Sequence, residues 1–260
     1  MSFKVVIPAR YASTRLPGKP LLDIGGKPMV VWVVDAACAS NADQVIVATD
    51  DARIANAVET CASRATALMT RVEHRSGTDR IAEVAQGAAW DDSTVVVNVQ
   101  GDEPQIPVAL INQVAELLMS HSDAHIATLC TPILTLEDFL NTNVVKVVTA
   151  DNDMALYFSR APIPWHRDAA PAGVSTQTQF TGAQRHLGIY AYRVGALKQL
   201  TQLPPGNLEL AESLEQLRAM QAGMRIVVAK AQVLPGQGVD TPEDIARVRT
   251  LIRDKFCHIN

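Results

Sequence analysis

Hydrophobic and polar positions follow two rhythms along the chain. Short runs rich in β-branched residues, at 4–8, 44–48 and 94–99, are separated by longer segments, 29–39 and 52–61, whose apolar residues recur at helical spacing. The runs at 45–47 and 95–97 are continuously apolar, which is typical of strands covered on both faces. The pattern therefore predicts βαβ units with right-handed crossovers and an α/β fold with a mostly parallel central sheet flanked by helices.

The same rhythms continue to the end of the chain. A helix is predicted after Pro107, followed by strands at 126–130, 143–149, 155–159 and 186–193. Residues 208–222 predict a single strong helix that ends at Gly223, and Thr241 with Pro242 predicts the start of a closing helix. The polar segment 167–184 is rich in Gly, Pro and Thr, and we expect it to be the most mobile loop.

Composition narrows the class of protein. The 260 residues include 23 Lys and Arg against 27 Asp and Glu, so the net charge of −4 gives no general attraction to a polyanion. An anionic ligand must therefore be bound locally. The sequence has no apolar run of about 18 residues, no signal-peptide pattern and no CxxC pair among its four cysteines. We expect a cytoplasmic protein with reduced thiols.

The first candidate for chemistry is the loop after the first predicted strand. It carries Arg10, Arg15 and Lys19. Ligands of open parallel sheets bind outside the carboxyl ends of the strands, where this loop must lie. Guanidinium groups bridge two phosphate oxygens and an ammonium acts as a point charge, so the three cations suit a triphosphate. Neither a Walker A loop nor GxGxxG is present, and from spacing alone a solvated basic loop is an equal alternative.

Two carboxylates are candidates for a magnesium site. Asp102 follows the strand at 94–99 and stands beside Gly101, which admits a close approach of the ligand. We favour it over Glu103. Asp240 lies in a glycine-rich segment directly before the closing helix. Each has an alternative interpretation: Asp102 as a turn residue, and Asp240 as an acid at the helix start.

Taken together, these blocks resemble one enzyme family almost from end to end. The shared motifs are PARYASTRLPGKPL, GGKPM, HRSGTDRIAEV, VVNVQGDEP, NVVKVV, ALYFSRAPIPW, RHLGIYAYR, LEQLR and GVDTPED. The chain is similar to the 3-deoxy-manno-octulosonate cytidylyltransferases, except over residues 166–184, where no functional residue is assigned.

The resemblance implies a Rossmann-like nucleotidyltransferase fold, a single domain over 1–260 and a dimerisation and sugar-binding subregion at about 140–200. It also implies a homodimer and a Mg2+-dependent reaction. In this reaction CTP and the sugar acid 3-deoxy-D-manno-octulosonate (KDO) give CMP-KDO and diphosphate for lipopolysaccharide biosynthesis.

The resemblance also implies roles for individual positions. The triphosphate ligands are Arg10, Arg15 and Lys19, and the metal pair is Asp102 and Asp240, which with Lys19 form the catalytic set. The cytosine-facing loop is Ser76, Gly77 and Thr78. The sugar-binding groups are Arg80, Gln100, Arg160, His186, Tyr190 and Glu215.

The chemistry of the sugar set agrees with its assigned ligand. KDO has a carboxylate and several hydroxyls, so its pocket needs a guanidinium together with mixed donors and acceptors. From the residues alone, His186 is equally a satisfied strand imidazole and Tyr190 equally a core aromatic. The acids at 209, 212 and 215 are spaced by three residues with Arg218, so a solvated, salt-bridged helix face would also explain Glu215.

Four other functions compete with this prediction. A sialic-acid cytidylyltransferase also uses CTP and a 2-keto sugar acid, but its first-loop pattern differs. An 8-amino analogue of KDO would change only one or two pocket groups. A nicotinamide dehydrogenase should have GxGxxG after the first strand, which this sequence lacks. A non-catalytic nucleotide-binding regulator would be expected to have lost one of the two metal acids, and both are present.

Overall fold

The computed structural model describes residues 2–12, 16–62, 64–169, 172–236 and 238–257. Its strands are β1 (Lys4–Ala9), β2 (Asp23–Ile24), β3 (Lys27–Pro28), β4 (Gln44–Thr49), β5 (Thr66–Met69), β6 (Val95–Asn98), β7 (Ile126–Pro132), β8 (Lys146–Thr149), β9 (Ala155–Ser159), β10 (Gln184–Arg193) and β11 (Ile226–Lys230). Its helices are α1 (Met29–Cys38), α2 (Ala52–Cys61), α3 (Gly77–Gly87), α4 (Val108–Ser120), α5 (Leu136–Leu140), α6 (Val194–Gln202), α7 (Asn207–Glu212), α8 (Gln216–Gln221) and α9 (Pro242–Cys257).

One large sheet organises the molecule, in the order β11-β7-β10-β6-β1-β4-β5, with β8 beside β10 and β9 beside β8. Strands β6, β1, β4 and β5 are parallel, and β11 is parallel to β7. Strand β10 runs antiparallel between β6 and β7. The prediction of a mostly parallel central sheet is confirmed, with β1 and β6 in its interior.

Helices cover both faces of this sheet. Val5 and Ile7 of β1 pack with α1, α2 and α4 on one face, and the intervening Val6 packs with α3, α6 and α8 on the other. Alternate side chains of a strand point to opposite faces, so an interior strand between two helical layers must be apolar at every position. The small hairpin of β2 and β3 packs under α9 through Ile24, Val248 and other apolar residues.

The predicted single helix at 208–222 is wrong. The chain forms α7 and α8 instead, and Ser213 between them has a left-handed backbone with φ of 52°. The break has a tertiary cause: the Glu212 carboxylate accepts hydrogen bonds from the Ser159 hydroxyl at 2.6 Å and the Arg160 amide at 2.9 Å. The amphipathic spacing of residues 208–222 cannot predict hydrogen bonds to residues that are distant in the sequence.

Other elements differ more modestly from the prediction. Strands β2, β3, β5 and β11 and helices α3, α5 and α6 were not predicted, and the strand expected at 143–149 begins only at 146. The loop at 167–184 contains the short 3-10 turns Arg167–Ala169 and Val174–Thr176, and its mobility stays a prediction. Within the described ranges, no helix is both long and apolar enough to span a bilayer.

Candidate active site

A cavity of about 270 Å3 opens at the carboxyl ends of the parallel strands. It is called the first cavity. Its wall combines the loop after β1, the segment before α3, the turn after β6 and the segment before α9. The predicted site residues that line it are Arg10, Lys19, Ser76, Gly77, Arg80, Gln100, Asp102 and Asp240. Arg15, also predicted for this site, lies outside the described residues.

Lys19 links the two predicted metal acids. Its side chain is almost fully buried, and its Nζ donates to Asp102 Oδ2 at 2.7 Å and to Asp240 Oδ1 at 3.0 Å. Both carboxylates therefore reach one cationic centre, although 138 residues separate them in the chain. Among the described residues, no cluster of three or more His, Cys, Asp or Glu is placed to hold a metal ion. A divalent cation here would need further oxygens from a phosphate or water, which is the usual way of binding Mg2+.

The local structure explains why Asp240 is in this position. The alternative was that Asp240 serves the start of the closing helix, but Thr241 and Asp244 perform that task. Asp244 Oδ2 accepts from the amides of Asp240 and Thr241 at 3.0 and 2.9 Å, and the Asp244 amide donates to Thr241 Oγ1 at 3.2 Å. The Val239 amide donates to the Asp102 carbonyl at 3.0 Å, which joins the two acid-bearing segments directly.

Asp102 also differs clearly from its neighbour. Gly101 lies so close to the end of β1 that an added Cβ would stand 3.0 Å from the Pro8 carbonyl oxygen, which brings Asp102 up to Lys19. Glu103 instead lines a separate cavity of about 130 Å3 together with Arg185. Burial, reinforced by the charges of Asp102 and Asp240, raises the pKa of Glu103 to about 7. The contacts therefore place Asp102 against Lys19, and its role as a metal ligand stays a prediction.

Arg80 lies on the first cavity in a buried ion pair. Its guanidinium donates to Asp50 Oδ2 at 2.9 Å and to the Thr70 hydroxyl, and the residue is only 3% exposed. The other oxygen of Asp50 accepts from the Tyr11 amide at 3.4 Å, at the start of the first loop. Sequence reasoning identified Arg80 but not Asp50, which directly precedes Asp51, the N-cap of α2.

A second cavity of about 210 Å3 adjoins the first and shares Ser76, Gly77 and Gln100 with it. Its other lining residues are Thr78, Asn98, Ile126, Tyr190, Tyr192, Leu200, Glu215 and Gln216. The Thr78 hydroxyl donates to Glu215 Oε1. The structure thus places Thr78, predicted for cytosine, beside Glu215, predicted for the sugar.

Two tyrosines, Tyr190 and Tyr192, line the second cavity. The rings of Tyr190 and Tyr192 stack with centroids 5.7 Å apart. Burial raises the pKa of Tyr190 well above its usual value of 10, and the proximity of Tyr192 and Glu215 raises it further. The Tyr190 hydroxyl therefore stays protonated and can donate a hydrogen bond to a ligand at neutral pH.

His186 lines the separate cavity of about 130 Å3 that also contains Glu103 and Arg185. Its Nε2 is 3.0 Å from Thr128 Oγ1, and its ring packs edge-on against Phe158 and near Tyr190. Burial lowers its pKa from 6.5 to about 3, so the imidazole is neutral. These contacts agree with the alternative of a satisfied strand imidazole. Its role in sugar binding stays a prediction.

Arg160 is not brought to these cavities in the described part of the chain. Its Nε donates to the Glu212 carbonyl at 2.7 Å and its Nη1 to the Thr142 carbonyl at 3.0 Å. Within the described residues it lines neither the first nor the second cavity. Two acids of the same region, Glu209 and Glu215, both pair with Arg218, at 2.7 and 3.8 Å, and Glu215 also lines the second cavity.

Sequence reasoning missed two ionisable residues of the first cavity, His74 and Arg75. His74 is held by a hydrogen bond to Glu83, and Arg75 is exposed just before Ser76, the N-cap of α3. A cation beside a helix N-terminus is a detectable signal for an anion site, but only once the helix is recognised. Helix α3 was not predicted.

Comparisons with known proteins identify the family of this chain. The sequence matches the family described as cytidylyltransferase over residues 4–226. It is 54% identical over 253 residues to a 3-deoxy-manno-octulosonate cytidylyltransferase of Thioalkalivibrio sulfidiphilus (strain HL-EbGR7), covering 97% of this chain and all of the relative.

Solved structures give the same picture. A CMP:2-keto-3-deoxy-manno-octonic acid synthetase complexed with CTP is 41% identical, with a TM-score of 0.88 over 98% of this chain and all of that one. A 4-diphosphocytidyl-2C-methyl-D-erythritol synthase, 12% identical with a TM-score of 0.65 over 97% of this chain and all of that one, shares the fold alone. By family match, identity and coverage, the chain belongs to the cytidylyltransferase family.

Proposed function

We propose that this protein transfers the CMP group of CTP to KDO, releasing diphosphate and supplying CMP-KDO for lipopolysaccharide biosynthesis. The observation that carries the proposal is the first cavity. A chain 54% identical to a KDO cytidylyltransferase places Lys19 between two carboxylates at the carboxyl ends of its parallel strands. An adjoining cavity of about 210 Å3, lined by neutral donors and one carboxylate, is available for the acceptor.

We further propose that the reaction requires Mg2+ held by Asp102 and Asp240. Carboxylate oxygens are the ligands that Mg2+ prefers, and the two acids already converge on one cation. Their side chains are 40% and 53% exposed, which leaves room for water and phosphate oxygens. When bound, the ion would withdraw charge from the α-phosphate and favour ionisation of the attacking hydroxyl.

The protein's own groups act by position and charge. The 2-hydroxyl of KDO forms a bond to the α-phosphorus as the bond to the β-phosphate oxygen breaks, and the hydroxyl proton leaves to water. Arg10 and Lys19, with Arg15 expected beside them, neutralise the departing diphosphate. Gln100 lies on the wall common to both cavities, where it can orient the acceptor towards the nucleotide.

The acceptor side uses hydrogen bonds more than charge. The protonated Tyr190 hydroxyl donates to a sugar oxygen, and Glu215, oriented by Thr78, accepts from sugar hydroxyls. Of the two arginines in the predicted sugar set, only Arg80 is among the described residues that line the first cavity. It would therefore bind the KDO carboxylate. Arg160 would need a different geometry from the one described.

The remaining expectations are also proposals. We infer a cytoplasmic homodimer, with one nucleotidyltransferase domain over 1–260 and a subregion at about 140–200 for dimerisation and sugar binding.

The test is diphosphate release by the purified protein with CTP, UTP, ATP or GTP, each combined with KDO, 8-amino-KDO, N-acetylneuraminate or no acceptor. We expect release only with CTP and KDO in the presence of Mg2+, and none with EDTA. Release with neuraminate or 8-amino-KDO instead would keep the nucleotide site and overturn the acceptor. No release with any pair would overturn the proposed reaction, and release unaffected by EDTA would overturn the metal requirement.

A further inference from the structure

The position of the Lys19 ammonium is unusual for a group expected to bind phosphate. Both of its described partners are carboxylates, Asp102 at 2.7 Å and Asp240 at 3.0 Å. It therefore sits in the cation position between the two proposed metal ligands. An ammonium there compensates the charge of both acids without any divalent ion.

The burial of these groups shows which partner can be exchanged. The Lys19 side chain is 10% exposed, whereas those of Asp102 and Asp240 are 40% and 53% exposed. The carboxylates can accept a new cation from solvent, but a divalent ion bridging them would stand within a few ångströms of a positive charge. Repulsion at that distance is strong in a partly buried site, so the ammonium and the ion compete for the same oxygens.

We propose that Lys19 is the internal counter-ion of Asp102 and Asp240 and keeps a divalent cation out of the site until nucleotide binds. The triphosphate offers the ammonium a new partner, and the flexible lysine stem allows the exchange. Release of the two carboxylates then lets the cation enter together with the nucleotide. This inference rests on the proposed function, because it needs the metal and triphosphate to share the first cavity.

Binding of Mn2+ to the protein without nucleotide tests this directly, since Mn2+ accepts the same carboxylate ligands and is counted by its electron paramagnetic resonance signal. The full chain is compared with Lys19→Met, which keeps the length of the stem, and with Lys19→Arg, which keeps the charge. Lys198→Met is the matched control, because Lys198 pairs with Asp92 at 2.9 Å outside both cavities.

We expect Lys19→Met to bind Mn2+ at least about tenfold more tightly than the wild type, while Lys19→Arg and Lys198→Met stay within about threefold of it. Thermal melts identify any variant that does not fold, and Lys19→Gln is measured in parallel as a second neutral form. A folded neutral variant that binds Mn2+ no more tightly than the wild type overturns the inference. The inference is also overturned if the wild type without nucleotide is saturated at the same low Mn2+ concentration as the neutral variants.

Failure of the proposed reaction gives a different result. If the wild type releases no diphosphate from CTP with KDO but the neutral variants still gain Mn2+ affinity, the reaction is wrong and the counter-ion role stands. If diphosphate is released but the neutral variants gain no affinity, the reaction stands and the counter-ion role is wrong.

Discussion

The two adjoining cavities differ in the charge of the residues that line them. The first is lined by full charges of both signs, with Arg10, Lys19, Asp102 and Asp240 on loops at the strand ends. The second is lined mainly by groups that stay neutral, such as Tyr190, with Glu215 as its only carboxylate among the described lining residues. A triphosphate needs charge compensation, whereas a polyhydroxylated sugar needs oriented donors and acceptors. The contrast predicts that substitutions in the two cavities will fail in different ways.

The largest effect is expected from removing one acid of the first cavity. Asp102→Asn or Asp240→Asn should lower turnover by roughly 10²–10³-fold, because each removes charge stabilisation of the transition state. Both side chains are well exposed, so the melting temperature should move by no more than about 3 °C. Diphosphate release at matched Mg2+, beside thermal melts, checks this. Near-wild-type turnover in either variant would remove that residue from the metal site.

The next largest effect is expected on stability, and it tests whether the buried Arg80–Asp50 ion pair stabilises the wall of the first cavity. Arg80→Met leaves Asp50 with little access to water and without its guanidinium, so we expect a loss of about 3–5 kcal/mol in the free energy of unfolding. Lys198→Ala, which breaks an exposed pair with Asp92, should cost no more than about 1 kcal/mol. Urea denaturation measures both. Equal losses would mean that the Arg80 pair is no more important than a surface pair.

A smaller effect should separate the second cavity from the first. Tyr190→Phe removes one neutral donor, so KM for KDO should rise about tenfold while KM for CTP stays within about twofold. Tyr157→Phe is a suitable control, because Tyr157 on β9 is not among the described residues that line the first or the second cavity. Initial rates with each substrate varied in turn give both constants. An equal rise in the two KM values would contradict the division of labour between the cavities.

The smallest effect is the pH dependence contributed by His186. Its pKa is about 3 in the folded protein against 6.5 for an ordinary histidine, so the unfolded chain binds an extra proton between these values. This contribution to stability is complete above about pH 6.5 and is lost as pH falls towards about 3. In His186→Gln the fall in melting temperature between pH 7 and pH 4 should be shallower by a few degrees. The melting temperatures of both proteins at pH 8, where the imidazole is neutral in the folded and the unfolded state, correct for the packing that the substitution removes. An unchanged slope would show that His186 takes up its proton normally.

Parts of the fold and site were predictable because their determinants are local. Helix α2 was predicted at the bounds it has, and the strand at 155–159 likewise, because a helix cap and a short run of apolar and aromatic residues act over a few positions. The break between α7 and α8 was not predictable, since it depends on Ser159 and Arg160 from β9. The placement of Arg160 was missed for the same reason.

By itself, the sequence determined the α/β class, the interior strands and most of the charged residues of the first cavity, although not Arg75. Contiguous motifs carry those residues, and parallel strands deliver their carboxyl ends to one edge of the sheet. Only the tertiary structure decided that Lys19 holds Asp102 and Asp240 together, that Asp50 anchors Arg80 and that Thr78 meets Glu215. These partners lie 30 to 221 positions apart, and their distances are set by the packing of α9 on the β2–β3 hairpin and of α3 on the large sheet. Periodicity along a chain reports which face a residue occupies, and packing alone selects the partner it meets there.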